Sequence, residues 1–125
     1  MSAMRRMVLE SLVDEALEAL PECFREKLDN VAVVVEDWPS PQVLRLVGAS
    51  LPGEVLGFYH GVPQTNRTSG YHLIPPDKIS IYQRPIEMRC RTVDEVRELV
   101  RRVLQHEIAH HFGIDDQRLR EIGAY

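Results

Sequence analysis

The chain has little cysteine, no excess of positive charge and no long apolar run, and each absence removes a class of protein. Cys23 and Cys90 are its two cysteines in 125 residues, far apart and outside any C-x-x-C pairing. No disulfide framework is implied, and the expectation is two reduced, buried thiols in a cytosolic chain. Fifteen Lys and Arg stand against nineteen Asp and Glu, for a formal charge of −4. That balance offers nucleic acid no electrostatic footprint. Arg5-Arg6, Arg89 with Arg91, and Arg101-Arg102 have acidic neighbours and read as solvated faces. No stretch approaches the length that crosses a bilayer, so no membrane partner is expected. Met4-Arg5-Arg6-Met7-Val8-Leu9 opens like a secretory leader, but Glu10, Asp14, Glu15 and Glu18 break the apolar region a leader needs. A cytoplasmic location is therefore expected. With no repeats and no low-complexity tract, a hydrophobic content of 44% beside 27% charged residues is ordinary for one globular domain spanning 1–125.

Periodicity divides that domain. Met4, Met7, Val8, Leu12, Ala16 and Leu20 mark the inner face of a first helix, and Pro21 suits the first turn of a second, ending near Leu28. Asp29-Asn30 breaks into Val31-Ala32-Val33-Val34-Val35, a β-branched run expected to form a buried strand. Ser40-Pro41 can start a short helix through Leu46, and Gly48 to Gly53 is turn-rich. Val55 to His60 reads as a second strand, and residues 62–77 carry no period. Lys78 to Arg84 alternates as a third strand, with Pro85 limiting further pairing. Thr92 and Glu95 form a capping box for a long helix over 93–111. Gln117 to Ile122 can close the chain with a turn of helix. Helices, then strands, then a helix imply an α+β fold with a small mixed sheet packed against N-terminal helices and the long helix.

The long helix carries the chemistry. His106-Glu107-Ile108-Ala109-His110 continues into Gly113 and Asp116, the pattern H-E-x-x-H-x-x-G-x-x-D. Histidines four apart share a helix face and can point two imidazoles at one metal ion. Glu107 sits about 100° further round the axis, where it can reach a water on that ion without being a ligand. Gly113 permits a left-handed exit that a Cβ would strain, and the turn can return Asp116 as third ligand. Composition alone produces H-E-x-x-H in roughly one such chain in fifty, and the full pattern in roughly one in twenty thousand. Leu99, Val103, His106 and His110 follow one another at spacings of four, three and four, which puts the histidines on the extension of the buried stripe. The bland alternative is two core histidines satisfied by carbonyls beside a solvated Glu107. A carboxylate buried beside them is costly without a cation, which favours metal.

The chain resembles the small bacterial zincin-like metallopeptidases, a minimal metalloprotease fold. The blocks that carry the likeness are Val34-Val35-Glu36-Asp37-Trp38-Pro39, Leu56-Gly57-x-Tyr59-x-Gly61-x-Pro63, Pro76-Asp77-x-Ile79-x-Ile81-Tyr82, and His106 to Asp116 with Leu119. They extend over nearly the whole chain. The resemblance implies a compact sheet against the zinc helix, with Zn2+ held by His106, His110 and Asp116. Nine residues follow Asp116 here and none is Met, so a Met-turn of the metzincin kind is not expected.

Three protein ligands with one open position describe a catalytic zinc site. Peptide hydrolysis would follow, with Glu107 as the base that activates zinc-bound water and passes the proton to the leaving amine. Two imidazoles and a carboxylate leave the site formally +1, which makes the water less acidic and Glu107 more important. The oxyanion donor stays open among Tyr71, His72 and Tyr82, each first a packing or surface residue; Arg67 is a candidate for a substrate carboxylate. Asp115 competes with Asp116, which the six-residue offset from His110 favours. His111 faces elsewhere and is not a ligand. The expected partner is a peptide or unfolded segment adding to a free edge of the third strand or its neighbour. A non-catalytic module stabilised by zinc is the alternative function. RNA hydrolysis at a metal centre is a third, disfavoured by Glu107, the Asp ligand and the acidic charge.

Overall fold

A computed structural model of the chain describes residues 4–61 and 77–113. The elements run α1 (Arg6–Glu18), α2 (Glu22–Lys27), β1 (Val31–Glu36), α3 (Pro41–Val47), a 3-10 turn (Pro52–Glu54), β2 (Gly57–His60), β3 (Asp77–Tyr82), α4 (Gln83–Arg89) and α5 (Val93–His111). The three strands form one sheet in the order β1-β3-β2, with β1 parallel and β2 antiparallel to β3. The fold is α+β, with a small mixed sheet packed against helices. Among the described residues no helix is long and apolar enough to cross a membrane.

One sheet face makes the main core. Register places Val33, Ile79 and Tyr59 side by side, and likewise Val35, Ile81 and Gly57. Against them pack Leu9, Leu12 and Val13 of α1, and Val96, Val100, Leu104 and Ile108 of α5. The buried stripe of α1 is Leu9, Leu12, Val13 and Ala16. That stripe is turned from the expected one: Leu9 is fully buried, whereas Met7 is 66% exposed. The opposite sheet face holds a smaller apolar cluster of Val43, Val55 and Tyr82. It also carries a polar chain across all three strands. Ser80 Oγ donates to Glu36 Oε1 at 2.5 Å, and His60 Nε2 lies 3.1 Å from Ser80 Oγ.

Local chemistry explains the element ends. Ser40 Oγ accepts from Val43 N, and Gly48 closes α3 in the left-handed conformation (φ 71°), with Ala49 N reaching back to Leu44 O. Thr92 Oγ1 accepts from Glu95 N as expected of an N-cap, but the Glu95 carboxylate takes the N–H of Arg91, one residue before the reciprocal partner of a capping box.

Four expectations change. The third strand stops at Tyr82, and Gln83–Arg89 is a helix. Pro85 lies in its first turn, where a missing N–H costs nothing because those donors have no intrahelical acceptor. The second strand begins at Gly57, not Val55. The valine run of β1 is half-buried, because among the described residues β1 is an edge strand with helices over one face. Arg6, expected on a solvated face, is a clasp. Its guanidinium donates to Gln83 Oε1 (2.7 Å), Val35 O (2.8 Å) and Asp37 Oδ1 (2.5 Å), joining α1, β1 and α4. Of the thiols, both free, Cys90 is buried and Cys23 half-buried. The closing helical turn at 117–122 lies outside the described residues.

Candidate active site

The 19 residues of α5 run along β2 and present two adjacent faces. One face rests on the strand. A Cβ on Gly57 would stand 2.6 Å from Val103 Cγ1, so the glycine is what lets helix and strand approach this closely. One turn on, the carboxylate of Glu107 accepts a hydrogen bond from the backbone N–H of Tyr59. One turn further, the His111 ring stacks on the Tyr59 ring, centroids 3.8 Å apart and planes 12° from parallel. The other face carries His106 and His110, their ring centroids 6.0 Å apart and 75° from coplanar.

Exposure falls from one end of this set to the other. His110 is exposed, while His106 and Glu107 are half-buried. The buried residues of α5 are Val96, Val100, Val103, Leu104, Gln105, Ile108 and Ala109, so the histidines flank this stripe instead of extending it. That offset opens His106 to a groove of about 600 Å³, whose floor is Leu99, Val103, His106 and Glu107. The end of α3 and residues 54–57 form the facing wall. Burial pushes the Glu107 carboxyl above its ordinary range; the Tyr59 N–H and the positive charge that His110 can carry pull the other way.

The sheet edge beside the groove has a defined polarity. Tyr82 N–H donates to Leu56 O at 3.0 Å. Antiparallel alternation then turns the backbone groups of Phe58 and His60 toward β3, and those of Gly57 and Tyr59 toward the outer edge. Glu107 takes the Tyr59 N–H on that edge, and Gly57 lines the groove.

A model of the zincin-like metallopeptidase family matches residues 28–124. The chain belongs to that family. No curated protein matches it.

Zinc is the metal of zincins, and the donors present fit it. His106 and His110 stand one helical turn apart on one face, the spacing at which two imidazoles can share an ion. The neighbouring half-buried carboxylate is a group whose charge a cation would offset. Gly113, the third residue past His110, has φ 70°, the left-handed exit expected of it. Asp115 and Asp116 lie outside the described residues, as do Arg67, Tyr71 and His72. Among the described residues no three metal-binding side chains converge.

Tyr82, a candidate oxyanion donor, is 1% exposed in the cluster on the far sheet face and does not line the groove. His111 turns toward β2, away from the groove, as its place on the helix implied. Sequence reasoning gave no role to Tyr59, Asp77 or the glycines beside them. The available signal was Gly57 inside a strand pattern, with Gly61 just past its end, since glycine in a strand marks a close backbone approach.

Proposed function

We propose that this zincin is a zinc-dependent peptidase in which His106, His110 and Asp116 hold the ion and Glu107 is the general base. The observation that carries this reading is the position of Glu107. Its carboxylate sits on the floor of a groove, half-buried, anchored by the Tyr59 N–H and one residue from an imidazole lining the same groove. When bound, zinc would supply a Lewis acid that polarises the scissile carbonyl and acidifies water. The chain's own residues would do the rest. Burial raises the proton affinity of Glu107, which suits a group that takes a proton from water and returns it to a leaving amine.

The substrate we propose is an extended peptide or unfolded segment laid along the outer edge of β2 at Gly57, with main-chain hydrogen bonds to the strand. Leu99, Val103 and Leu56 give the groove an apolar lining, so a large apolar side chain next to the scissile bond is favoured. The same groove gives no support to nucleic acid as substrate, since among the described residues Arg102 is its one Lys or Arg lining residue and pairs with Glu98 at 3.5 Å.

The test combines metal analysis with digestion of a peptide library. Glu107→Gln is expected to retain zinc and lose about 10²–10⁴-fold in turnover. His106→Ala is expected to lose both. A Glu107→Gln protein that cleaves like the parent rules out this mechanism. A parent that holds zinc, needs it for stability and cuts nothing leaves the non-catalytic module as the function.

A further inference from the structure

The contacts of α5 with β2 and with Gly61 just past its end share one repeat. Gly57 meets Val103, Tyr59 meets Glu107, and Gly61 meets His111: a Cβ on Gly61 would stand 2.7 Å from His111 Cε1 and 2.9 Å from Tyr59 Cε1. Successive strand positions are two residues apart and successive helix positions four. Two strand residues advance about 6.6 Å and four helical residues about 6.0 Å. Strand and helix therefore stay in step over three contacts while running in the same direction. The outer two contacts require glycine because no room is left for a side chain. The middle one uses a tyrosine twice, through its N–H and through its ring.

The ring has its own anchor. Tyr59 Oη donates to Asp77 Oδ2 at 3.0 Å, and the same oxygen lies 3.9 Å from His111 Nε2. Phe112 closes the cluster, its ring edge-on to His111 at 4.9 Å and to Tyr59 at 6.1 Å. His111 and Phe112 are the end of α5, the turn from which His110 projects and after which Gly113 leaves the helix. Terminal helical turns fray unless something holds them. Here an aromatic clamp on β2 holds the turn that carries an exposed histidine.

Taking Glu107 and the two histidines in the roles proposed above, we propose that Tyr59 is the positioning residue of the site. Its N–H fixes the base. Its ring, tethered by Asp77, locks His111 and with it the rotation and height of the helix end that presents His110. On a helix His106 and His110 lie within about 100° of the 103–107–111 line, on the same side of it, so a lock along that line fixes both imidazoles together. Tyr59 touches neither metal nor substrate in this scheme and acts through the groups it holds.

Zinc affinity and the visible spectrum of the cobalt(II)-loaded full chain test this without any substrate. Tyr59→Leu keeps the N–H and an apolar side chain but removes the flat ring and hydroxyl. It is expected to remain folded, to bind zinc at least tenfold more weakly, in line with losses seen when groups behind metal ligands are removed, and to show an altered cobalt spectrum. Tyr59→Phe keeps the stack and is expected to fall between Tyr59→Leu and the parent. His111→Ala should reproduce the loss, and His111→Phe, which restores a flat ring, should recover most of it. Ile79→Val, at the position paired with Tyr59 on β3, serves as the control that weakens the core next to Tyr59 and leaves every group of the clamp in place. Parent-like zinc affinity and cobalt spectrum in Tyr59→Leu, or an equal loss in Ile79→Val and no rescue by His111→Phe, overturn the proposal. Should Tyr59→Leu not fold, the Tyr59→Phe, His111→Ala and His111→Phe series decides alone, and three parent-like affinities overturn it. A parent that binds neither zinc nor cobalt overturns the metal-site reading itself, a different failure from a parent that binds while the clamp variants match it.

Discussion

A carboxyl group wedged between a helix and a strand edge needs its charge offset, and Glu107 has two partners for that: the Tyr59 N–H and the charge on His110 when that ring is protonated. Burial outweighs both, so the folded protein holds the Glu107 proton more tightly than the unfolded chain, whose carboxyl titrates near 4.5. The sign follows from linkage. The stabilisation tied to protonated Glu107 is complete below pH 4.5 and is lost as pH rises through the elevated folded value. At neutral pH, without metal, ionised Glu107 therefore works against the fold. Metal-free Glu107→Gln should melt above the parent at pH 7, and the gap should close as pH is lowered toward 4.5. Thermal melts of both proteins in chelator across that range check it. A lower melting point for the variant at pH 7 would mean that the Tyr59 hydrogen bond outweighs burial. At this scale the sequence was most legible where partners are near in the chain, as His106, Glu107 and His110 are. Tyr59 lies in another element, and only the packing of α5 on β2 makes it a neighbour of Glu107.

Between elements the decisive distance is the one from Gly57 to Val103. Gly57→Ala places a methyl 2.6 Å from Val103 Cγ1 and 3.1 Å from Ser80 O, and the second neighbour is backbone that cannot swing aside. Overpacking of this kind costs about 1–3 kcal/mol. The expected result is a melting point lower by roughly 4–12 °C. In a Val103→Ala background the nearer clash is gone, and the same Gly57→Ala change should cost clearly less, a non-additivity expected of residues in direct contact. Equal penalties in the two backgrounds would show that α5 does not press on β2 at this point. Element boundaries were legible where a capping residue marks them, as Ser40 and Thr92 do. They were misread where one residue serves two purposes: Pro85 looked like the end of pairing, yet it sits comfortably in the first turn of α4. Met7 and Leu9 were exchanged for a similar reason, since a 13-residue helix with apolar residues at several phases leaves its inner face to be chosen by its neighbours.

For the molecule as a whole, composition and the succession of patterns were enough for an α+β fold, but not for the order β1-β3-β2. A parallel β1–β3 pair with β2 on the outer side of β3 depends on contacts far apart in the chain, which local periodicity does not encode. That order matters because, among the described residues, it leaves β2 at an edge, with α5 alongside, and so puts the groove where a peptide strand could lie. The three proposed ligands span the end of α5 and the segment beyond Gly113, so zinc would join the helix to the residues after it. Metal that binds the native state and not the unfolded chain adds stability as RT ln(1 + [L]/Kd), about 2.7 kcal/mol at a hundredfold excess over Kd. For a chain of this size that amounts to roughly 10 °C in melting point. The parent should show a rise of that order when zinc is added to chelator-treated protein, Glu107→Gln should show one at least as large in proportion to its own Kd, and His106→Ala should show none. Scanning calorimetry of the three proteins with and without zinc makes the comparison. A rise in His106→Ala equal to that of the parent would place the stabilising ion somewhere other than this helix.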